Sequence, residues 1–340
     1  MLREHSRTQD KLKQDLGQLV LSALADEDIY EILLNPDGIL WVDGYKGKHE
    51  YGLMTPAAAK NLINTVVSVS DEIITYKNPS FGGELWVEIN EELKLFRFQA
   101  FIPPVVAYPA FAIRKRAGSV ISLEEYVKDE ILTAQQETII KESVAKRMSI
   151  LVVGGTQSGK TTFCNAILDC IARTHPNDRV IIIEDTQELK CNVKDSVTMR
   201  SIPTKTMNDL IFDSMRIRPD RIIIGEVRGK EAHSLIKAWN TGHPGGVSTI
   251  HANSAESGLL RLEQLIAEAG VAFVPEAIAE AVNLLIFIQK TIKNKKGRQV
   301  TSILKLNGYD KERGYLIEEC GYDKTKQEAE REFDRPYTDK

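Results

Sequence analysis

The chain has 340 residues, of which 42% are hydrophobic and 27% charged, and its formal net charge is −4. A chain of this length suits two domains, and the composition is that of an ordinary globular protein. The small net charge gives no general case for nucleic-acid binding, so we expect no direct sequence-specific contact with nucleic acid.

The sequence carries no export, membrane or disulfide signal. Its start, Met1-Leu-Arg-Glu-His, runs into a charged stretch instead of the apolar core of a signal peptide. No apolar stretch approaches the roughly 20 residues of a membrane-spanning helix. The 4 cysteines are scattered and form no C-x-x-C pair, a pattern typical of reduced thiols. We therefore expect a cytoplasmic protein whose association with the inner membrane, if any, is peripheral.

The first part of the chain, residues 1–118, predicts a small α+β domain. Apolar residues at helical spacing over about residues 9–24 indicate an amphipathic opening helix. The turn Asn35-Pro-Asp-Gly between two apolar runs is typical of a hairpin. Thr55-Pro56 starts a helix that continues to about Ser70, with proline at its first position. Three further β-rich runs cover Leu85–Ile89, Leu95–Phe101 and Ala110–Arg114.

Two segments are predicted to lie outside the two domains. Residues 119–132 are expected to form a linker with one short helix after Ser122. Residues 321–340 are dense in charge and poor in apolar side chains, so we predict a disordered tail there.

Residues 133–320 predict an α/β domain. A capping box beginning at Thr133 opens a helix that runs to Arg147. After this helix, short and nearly continuous apolar runs alternate with helical segments, which is typical of strands buried on both faces of a mainly parallel sheet. The runs are Ser149–Val153, Arg179–Ile183, Arg221–Ile224 and Val247–Ile250.

The segment Gly154–Thr161 fits the phosphate-loop pattern G-x-x-x-x-G-K-[ST]. Its glycines let backbone N–H groups turn around phosphate oxygens, Lys160 supplies a positive charge, and Thr161 offers a hydroxyl to Mg²⁺. A glycine-rich turn without a ligand is the competing interpretation, but the preceding strand and the following helix are what the motif requires. The loop does not distinguish ATP from GTP. We predict ATP and Mg²⁺ as cofactors, with nucleotide contacts from Gly154, Gly155, Thr156, Gln157, Ser158, Gly159, Lys160, Thr161 and Thr162.

Acidic residues follow the predicted strand that begins at Arg179. The strand leads into Glu184-Asp185-Thr-Gln-Glu188. Because ligands of parallel sheets bind at the carboxyl ends of the strands, these acids are expected beside the phosphate loop, with Glu184 and Glu188 as candidate catalytic residues. Capping of the next element is the alternative.

A second acid, Glu226, follows four apolar residues and resembles the carboxylate of a Walker B strand. Such a carboxylate holds the magnesium shell or polarises the attacking water, so Glu226 is both a catalytic and a metal-site candidate. Gly225 stands where many phosphate-loop ATPases carry aspartate, which favours action of Glu226 through water. Arginines surround this strand and are candidates for phosphate contact, with surface charge as the alternative: Arg216, Arg218, Arg221 and Arg228.

His251 lies just past the last predicted strand, where it would sense or contact the γ-phosphate. A lone histidine is more often structural. Two of the 6 histidines, His243 and His251, stand close together in a turn flanked by strand, which favours a functional role for His251.

These four motifs, in this order, resemble those of the traffic ATPases of type II and type IV secretion, which are RecA-like hexamers. The resemblance covers about Glu31 to Ile288, and the segment from Ala238 to Gly246 looks most like the conjugal-transfer, TrbB-type branch. The matching motifs are Walker A at Gly154–Thr162, the Asp box at Glu184–Leu189, Walker B at Arg221–Gly229 and the His box at Thr241–Asn253.

The resemblance implies a RecA-like phosphate-loop domain with a central, mainly parallel sheet, preceded by the smaller α+β domain. It also implies arginines from the first domain at the phosphates, which correspond to Arg114 and Arg116. A solvent-facing cation on an edge strand is the alternative. Gln157 departs from the family, which usually has glycine at that place. If the position needs a positive φ, glutamine adds strain and slows turnover.

We therefore predict an ATP-hydrolysing motor subunit of a type IV secretion or conjugation apparatus. It would act as a homo-hexamer bound to inner-membrane secretion or conjugation proteins. A pilus retraction or type II secretion motor is the related alternative, although the missing C-x-x-C cluster counts against extension motors. A nucleotide-gated assembly module with little turnover is the alternative from another class, supported by Gln157 and Gly225. A DNA helicase is disfavoured by the mildly acidic composition.

Overall fold

A computed structural model describes residues 2–44, 46–70, 72–115, 120–202, 204–272 and 274–321, with side chains from Arg7 onward. The chain forms two compact units, Met1–Ser119 and Val120–Lys340. None of the described helices combines the length and the apolar character needed to span a bilayer. Arg116 and the predicted tail beyond Gly321 lie outside the described residues.

The first unit is an antiparallel sheet with helices packed on it. Its helices are α1 (Leu2–Ala25) and α2 (Pro56–Val69), and its strands are β1 (Ile29–Leu34), β2 (Ile39–Gly44), β3 (His49–Leu53), β4 (Ser80–Ile89), β5 (Glu92–Phe101) and β6 (Ala110–Lys115). The described strands are ordered β3-β2-β1-β6-β5-β4, with every neighbouring pair antiparallel. Leu16 of α1 and Leu62 of α2 are buried with Phe98 of β5 in one core.

Local signals account for most elements of the first unit. The predicted hairpin is confirmed as β1–β2, and Thr55 caps α2 by accepting a hydrogen bond from the N–H of Ala58. The opening helix is confirmed, but it is interrupted at Gly17, whose φ of 68° and ψ of 163° are not helical. Strand β3 escaped prediction because it is polar and largely exposed at the end of the sheet.

The second unit is built around a mainly parallel sheet. Its helices are α3 (Leu123–Lys128), α4 (Ala134–Ala145), α5 (Lys160–Thr174), α6 (Met207–Ser214), α7 (Glu231–Asn240), α8 (Ala255–Glu268) and α9 (Pro275–Ala281), with a 3₁₀ turn over Met215–Ile217. Its strands are β7 (Ile150–Val153), β8 (Arg179–Glu184), β9 (Asp195–Arg200), β10 (Arg221–Val227), β11 (Val247–Ile250), β12 (Leu284–Lys290), β13 (Arg298–Asp310) and β14 (Gly314–Cys320).

The described strands of this sheet are ordered β14-β13-β12-β7-β11-β10-β8-β9. All neighbouring pairs from β12 to β9 are parallel, and β13 and β14 are added antiparallel beside β12. The parallel strands therefore all end at one side of the sheet, which we call the carboxyl end, and begin at the other, the amino end.

Two apolar layers cover the faces of this sheet. On one face, Val153 of β7 packs with α7 and α8. On the other face, Val152 packs with α4 and α5. Burial on both faces explains the nearly continuous apolar strands, as predicted. Leu123 and Tyr126 of α3, within the segment predicted as a linker, are buried in the second of these layers.

Candidate nucleotide-binding site

The predicted phosphate loop joins β7 to α5 at the carboxyl end of the sheet. A Cβ atom on Gly154 would lie 2.4 Å from the carbonyl oxygen of Ile288, so no larger residue fits there. Gly159 precedes α5 with a φ of 96°, in the left-handed region that favours glycine. The loop thus directs the positive end of α5 at whatever it encloses, which suits an anion.

Lys160, the first residue of α5, is buried and faces the interior of the loop. Its Nζ donates hydrogen bonds to the carbonyl oxygens of Gly154 and Gly155, each at 2.9 Å. The same ammonium lies 3.1 Å from Nδ1 of His251, which follows β11. A buried ammonium requires polar partners, and a phosphate oxygen can replace a carbonyl in this role.

Glu184 ends β8 with its side chain buried. Its Oε1 accepts hydrogen bonds from the backbone N–H groups of Glu188 at 2.9 Å and Leu189 at 3.0 Å. Asn165 of α5 supports the same loop by accepting a hydrogen bond from the N–H of Lys190 at 2.8 Å. Glu184 therefore makes the capping contact that was the alternative to catalysis, and a chemical role for Glu184 or Glu188 stays a prediction.

Gly225 lacks a side chain because Glu184 fills the space beside it. Strands β8 and β10 are parallel, with Ile183 opposite Ile224, so the next residues of the two strands are neighbours. A Cβ on Gly225 would lie 2.8 Å from Cγ of Glu184 and 3.1 Å from its Oε1. The missing Walker B aspartate thus has a packing cause: a carboxylate from β8 stands where a side chain from β10 would have to pass.

Glu226 is partly exposed, and it joins a network of charged side chains. Its Oε1 lies 2.8 Å from Nε2 of His251, and its Oε2 accepts a hydrogen bond from Arg228. Arg228 also donates to Oδ2 of Asp185 at 2.9 Å. The hydrogen bond to Glu226 raises the pKa of the Arg228 guanidinium above its ordinary value. Residues from β8, β10 and β11 are therefore linked to Lys160 through His251.

A magnesium site made of protein ligands alone is not seen among the described residues, which contain no group of three or more His, Cys, Asp or Glu side chains placed to hold a metal. This donor set fits magnesium nonetheless, because Mg²⁺ in nucleotide sites takes one or two protein ligands and completes its shell with phosphates and water. The Thr161 hydroxyl, beside Lys160, and the Glu226 carboxylate are the candidate ligands.

Of the four arginines singled out around β10, only Arg228 reaches this end of the sheet. Arg221 begins β10 and is fully buried at the amino end, so the expectation that it contributes to the phosphate site is wrong. Its Nε donates to Oδ2 of Asp178 at 2.7 Å, and its Nη1 donates to the carbonyl oxygen of Gly245 at 2.8 Å. Arg216 and Arg218 precede β10 and so lie on the amino side as well.

The predicted His box is divided between the two ends of β11. His243 precedes β11, and its Nδ1 lies 3.0 Å from the carbonyl oxygen of Pro219, whereas His251 follows the strand. A Cβ on Gly246 would lie 2.1 Å from Nε1 of Trp239, so this glycine is required for packing. The first half of the motif therefore makes structural contacts at the amino end, and its second half places His251 beside Lys160 at the carboxyl end; a chemical role for His251 stays a prediction.

Two cations beside the loop were missed by sequence reasoning. Lys290 ends β12, and its Nζ donates to Oε1 of Gln157 at 3.2 Å. Arg298 begins β13, and its Nη1 would lie 2.6 Å from a Cβ on Gly159, so its guanidinium packs directly on that glycine. The available signal was the basic run from Lys290 to Arg298, which contains five Lys or Arg residues in nine positions.

Comparison with known proteins connects these motifs to a family. The sequence matches the family described as Type II/IV secretion system protein over residues 53–331. The chain belongs to this family. The conjugal transfer protein TrbB of Rhizobium radiobacter is 43% identical over 309 residues, which are 91% of this chain and 93% of that relative. The predicted membership of the secretion traffic ATPases, and the similarity to their conjugal-transfer branch, are confirmed.

Two solved structures, of an ATPase and of a pilus retraction motor, share the fold. The Legionella pneumophila ATPase DotB is 17% identical, with a TM-score of 0.63 over 92% of this chain and 82% of DotB. The pilus retraction motor PilT, solved with bound ADP, is 19% identical, with a TM-score of 0.59 over 94% of this chain and 87% of PilT. The predicted phosphate-loop α/β fold with a smaller preceding domain is confirmed.

The arginine that family resemblance assigned to the phosphates belongs to the first unit. Arg114 is exposed on β6, where it stands opposite Glu31 of β1 and Arg97 of β5. Since β6 is a central strand, the alternative of an edge-strand cation does not apply. A role for Arg114 at the nucleotide stays a prediction, as it does for Arg116.

Proposed function

We propose that the chain is an ATP-hydrolysing motor subunit of a type IV secretion or conjugative DNA-transfer apparatus. The observation that carries this proposal is the continuous set of contacts from Lys160 through His251 to Glu226. A phosphate loop by itself only binds nucleotide. An acid and a histidine linked to its lysine provide what hydrolysis needs in addition: a group to orient water and a way to register the γ-phosphate.

Nucleotide binding rests on the loop and on α5. Lys160 exchanges loop carbonyls for phosphate oxygens, with the N–H groups at the start of α5 on the same anion. Magnesium, when bound, neutralises charge that develops on the phosphates. The Thr161 hydroxyl and Glu226 hold it or its water shell, and Arg298 adds a further positive charge beside Gly159.

Glu226 is the carboxylate best suited to orient the attacking water. Its side chain is 16% exposed and reaches solvent, whereas Glu184 is buried and already accepts two backbone hydrogen bonds. The Oε1 atom of Glu184 is thus already occupied within the fold, whereas the Glu226 side chain can reach a water molecule. Glu184 then holds the loop that follows β8 in place through the N–H groups of Glu188 and Leu189. Glu188 is the second acidic candidate, and it belongs to that loop.

His251 is proposed to report the γ-phosphate to the rest of the protein. It lies between the ammonium of Lys160 and the carboxylate of Glu226. A phosphate that draws Lys160 towards itself weakens the contact between this ammonium and the ring, while the contact between the ring and Glu226 remains. Such a local change can drive a rigid-body movement of the units, with Arg114 of the first unit on the nucleotide.

The names of the relatives support the assignment of the chain to a conjugation or type IV secretion apparatus. The 43% identical relative is named a conjugal transfer protein, and others that match are named type IV secretion system proteins. We propose a homo-hexamer that binds inner-membrane components of such an apparatus and is itself cytoplasmic or peripheral at that membrane. A motor of a pilus retraction or type II secretion system would use the same site with other partners.

The first test is steady-state phosphate release with ATP and Mg²⁺ over a range of protein concentrations. Wild type is compared with Lys160→Ala and Glu226→Gln. We expect ATP turnover in the wild type, a loss of at least about a hundredfold in both variants, and activity that rises more than linearly with protein concentration. Binding of a fluorescent ADP analogue should fail in Lys160→Ala only, because Glu226 is proposed to orient the attacking water.

One outcome favours a second function. The φ of Gln157 is 58°, a strained conformation for a residue with a Cβ atom, and this observation supports a slow, nucleotide-gated assembly module. Nucleotide binding without turnover in the wild type, lost only in Lys160→Ala, would reject the motor for the isolated chain and favour that module. Restored turnover in Gln157→Gly would identify the strain as the cause.

A further inference from the structure

The phosphate loop has two residues with left-handed backbone, and each is contacted by a cation from the same hairpin. Gln157 has a φ of 58° and Gly159 a φ of 96°. Lys290 donates to the side chain of Gln157, and Arg298 packs on Gly159. Lys290 and Arg298 are themselves paired across β12 and β13.

The position of this hairpin relative to the loop is set by the sheet. Strand β12 runs parallel to β7, with Phe287 opposite Val153. The two chains leave the sheet side by side, so Lys290 and Gln157 come within hydrogen-bonding distance, with Nζ 3.2 Å from Oε1. Because β13 pairs with β12 and β14 pairs with β13, the backbone at Lys290 is fixed by the sheet.

Gln157 needs such support more than glycine would. A residue with a Cβ atom favours negative φ, so the free loop tends to leave the conformation in which its N–H groups point inward. Glycine adopts positive φ without this penalty. A charge-assisted hydrogen bond to the glutamine side chain opposes the tendency, and it does so only when glutamine occupies this place.

We propose that Lys290 is a positioning residue that holds the phosphate loop in its binding conformation through Gln157. The inference rests on the proposed nucleotide-binding function. It differs from direct phosphate contact in one testable respect: the contribution of Lys290 to binding must depend on the glutamine side chain.

The experiment is a double-mutant cycle on the full chain, with ADP and Mg²⁺ as ligand and calorimetric titration as readout. The variants are Lys290→Met, Gln157→Gly and the two combined. We expect Lys290→Met to raise the Kd for ADP about fivefold, which is the scale of a lost charge-assisted hydrogen bond. In the Gln157→Gly background the same change should alter Kd less than about twofold.

Two further variants separate positioning from general damage. Lys290→Arg keeps a donor and should restore binding close to wild type. Lys293→Met removes a charge from the same exposed turn, where no side-chain hydrogen bond or ion pair joins Lys293 to the described loop, and should leave Kd unchanged. In ATP turnover, Lys290→Met should raise KM by about the same factor as Kd and leave kcat within about twofold.

The outcomes are distinct. Equal losses in both backgrounds would overturn the inference in favour of direct contact between Lys290 and nucleotide. No loss in either background would show that the hydrogen bond has no role in binding. Failure of the wild type to bind ADP would overturn the proposed function together with this inference, whereas tight wild-type binding without coupling would overturn the inference alone.

Discussion

The two ends of the parallel sheet hold the same residue types and use them differently. At the amino end, Arg221 is 0% and Asp178 8% exposed, and the two form a buried ion pair. At the carboxyl end, the side chains of Arg228 and His251 are 51% and 44% exposed. Residue type therefore does not separate Arg221 and Asp178 from Arg228 and His251; the exposure of their side chains to solvent does.

Hydrogen bonding sharpens this difference. Arg221 donates to Asp178, to the carbonyl oxygen of Gly245 and, at 3.4 Å, to that of Val144, so each of its nitrogens is used within the fold. Burial lowers the pKa of Arg221, although Asp178 opposes this effect. At the carboxyl end, Lys160 bonds to loop carbonyls that a phosphate can replace. The hydrogen bonds of Arg221 stabilise the fold, whereas those of Lys160 can be exchanged for hydrogen bonds to a ligand.

Breaking the amino-end pair should have the largest effect. Asp178→Asn keeps the shape but leaves the Arg221 charge buried without its counter-ion. We expect the free energy of unfolding of the second unit to fall by about 3–5 kcal/mol, measured by urea denaturation followed by circular dichroism. The control is Asp195→Asn, which removes the exposed partner of Arg179 and should cost no more than about 1 kcal/mol. Equal costs would show that burial does not separate the two pairs.

The stability difference between wild type and Asp178→Asn should depend on pH. Burial alone would raise the pKa of Asp178, but hydrogen bonds and charges from Arg221 and Arg147 outweigh it and hold the pKa below its ordinary value. A carboxyl group with a depressed folded pKa stabilises the protein above its unfolded pKa and loses this contribution as pH falls through the folded pKa. The stability difference between wild type and Asp178→Asn should therefore shrink below about pH 4. A constant difference would contradict the ion pair.

At the carboxyl end, a methyl group on Gly225 should disturb the site through Glu184. Gly225→Ala brings its Cβ within 2.8 Å of the Glu184 side chain. We expect a loss of stability of about 1–3 kcal/mol and a fall in kcat of at least about tenfold, with ADP binding retained. Gly229→Ala is the matched control, because its Cβ would meet only Oε2 of Glu231 at 3.4 Å. A benign Gly225→Ala would refute the packing account of the missing aspartate.

Pattern and motif predicted the fold well where the signal is local. The apolar runs of β7, β8, β10 and β11 predicted buried parallel strands, and the phosphate-loop pattern predicted the turn between β7 and α5. The Walker B resemblance then singled out Glu226, and the position just past a strand singled out His251; the structure links both to Lys160. These inferences needed only local sequence pattern and the parallel direction of the strands.

Contacts between distant segments could not be predicted in this way. Nothing near Gly225 in the chain indicates that Glu184 occupies the adjacent space, because the two residues meet only through the register of β8 and β10. The same holds for Arg298 on Gly159. The error over Arg221 has a related cause: chain proximity to Glu226 suggested spatial proximity, but a strand separates its two ends.

His251 should matter for turnover and little for stability. His251→Ala removes the link between Lys160 and Glu226, so we expect kcat to fall about tenfold. Since the side chain is 44% exposed, the free energy of unfolding should change by less than about 0.5 kcal/mol. Phosphate release and urea denaturation on the same preparation measure both. A stability loss as large as that of Asp178→Asn would show that His251 mainly stabilises the fold.

His243 gives the smallest expected effect and the closest comparison, since it lies in the same motif at the other end of β11. Its ring contacts the carbonyl oxygen of Pro219, so His243→Ala should cost about 1 kcal/mol of unfolding free energy. Turnover per folded molecule should stay within about twofold of wild type, because the whole of β11 separates this ring from Lys160. Both histidines would be judged functional by their motif alone. If His243→Ala lowered kcat as much as His251→Ala while leaving stability intact, the two ends of the sheet could no longer be assigned different roles.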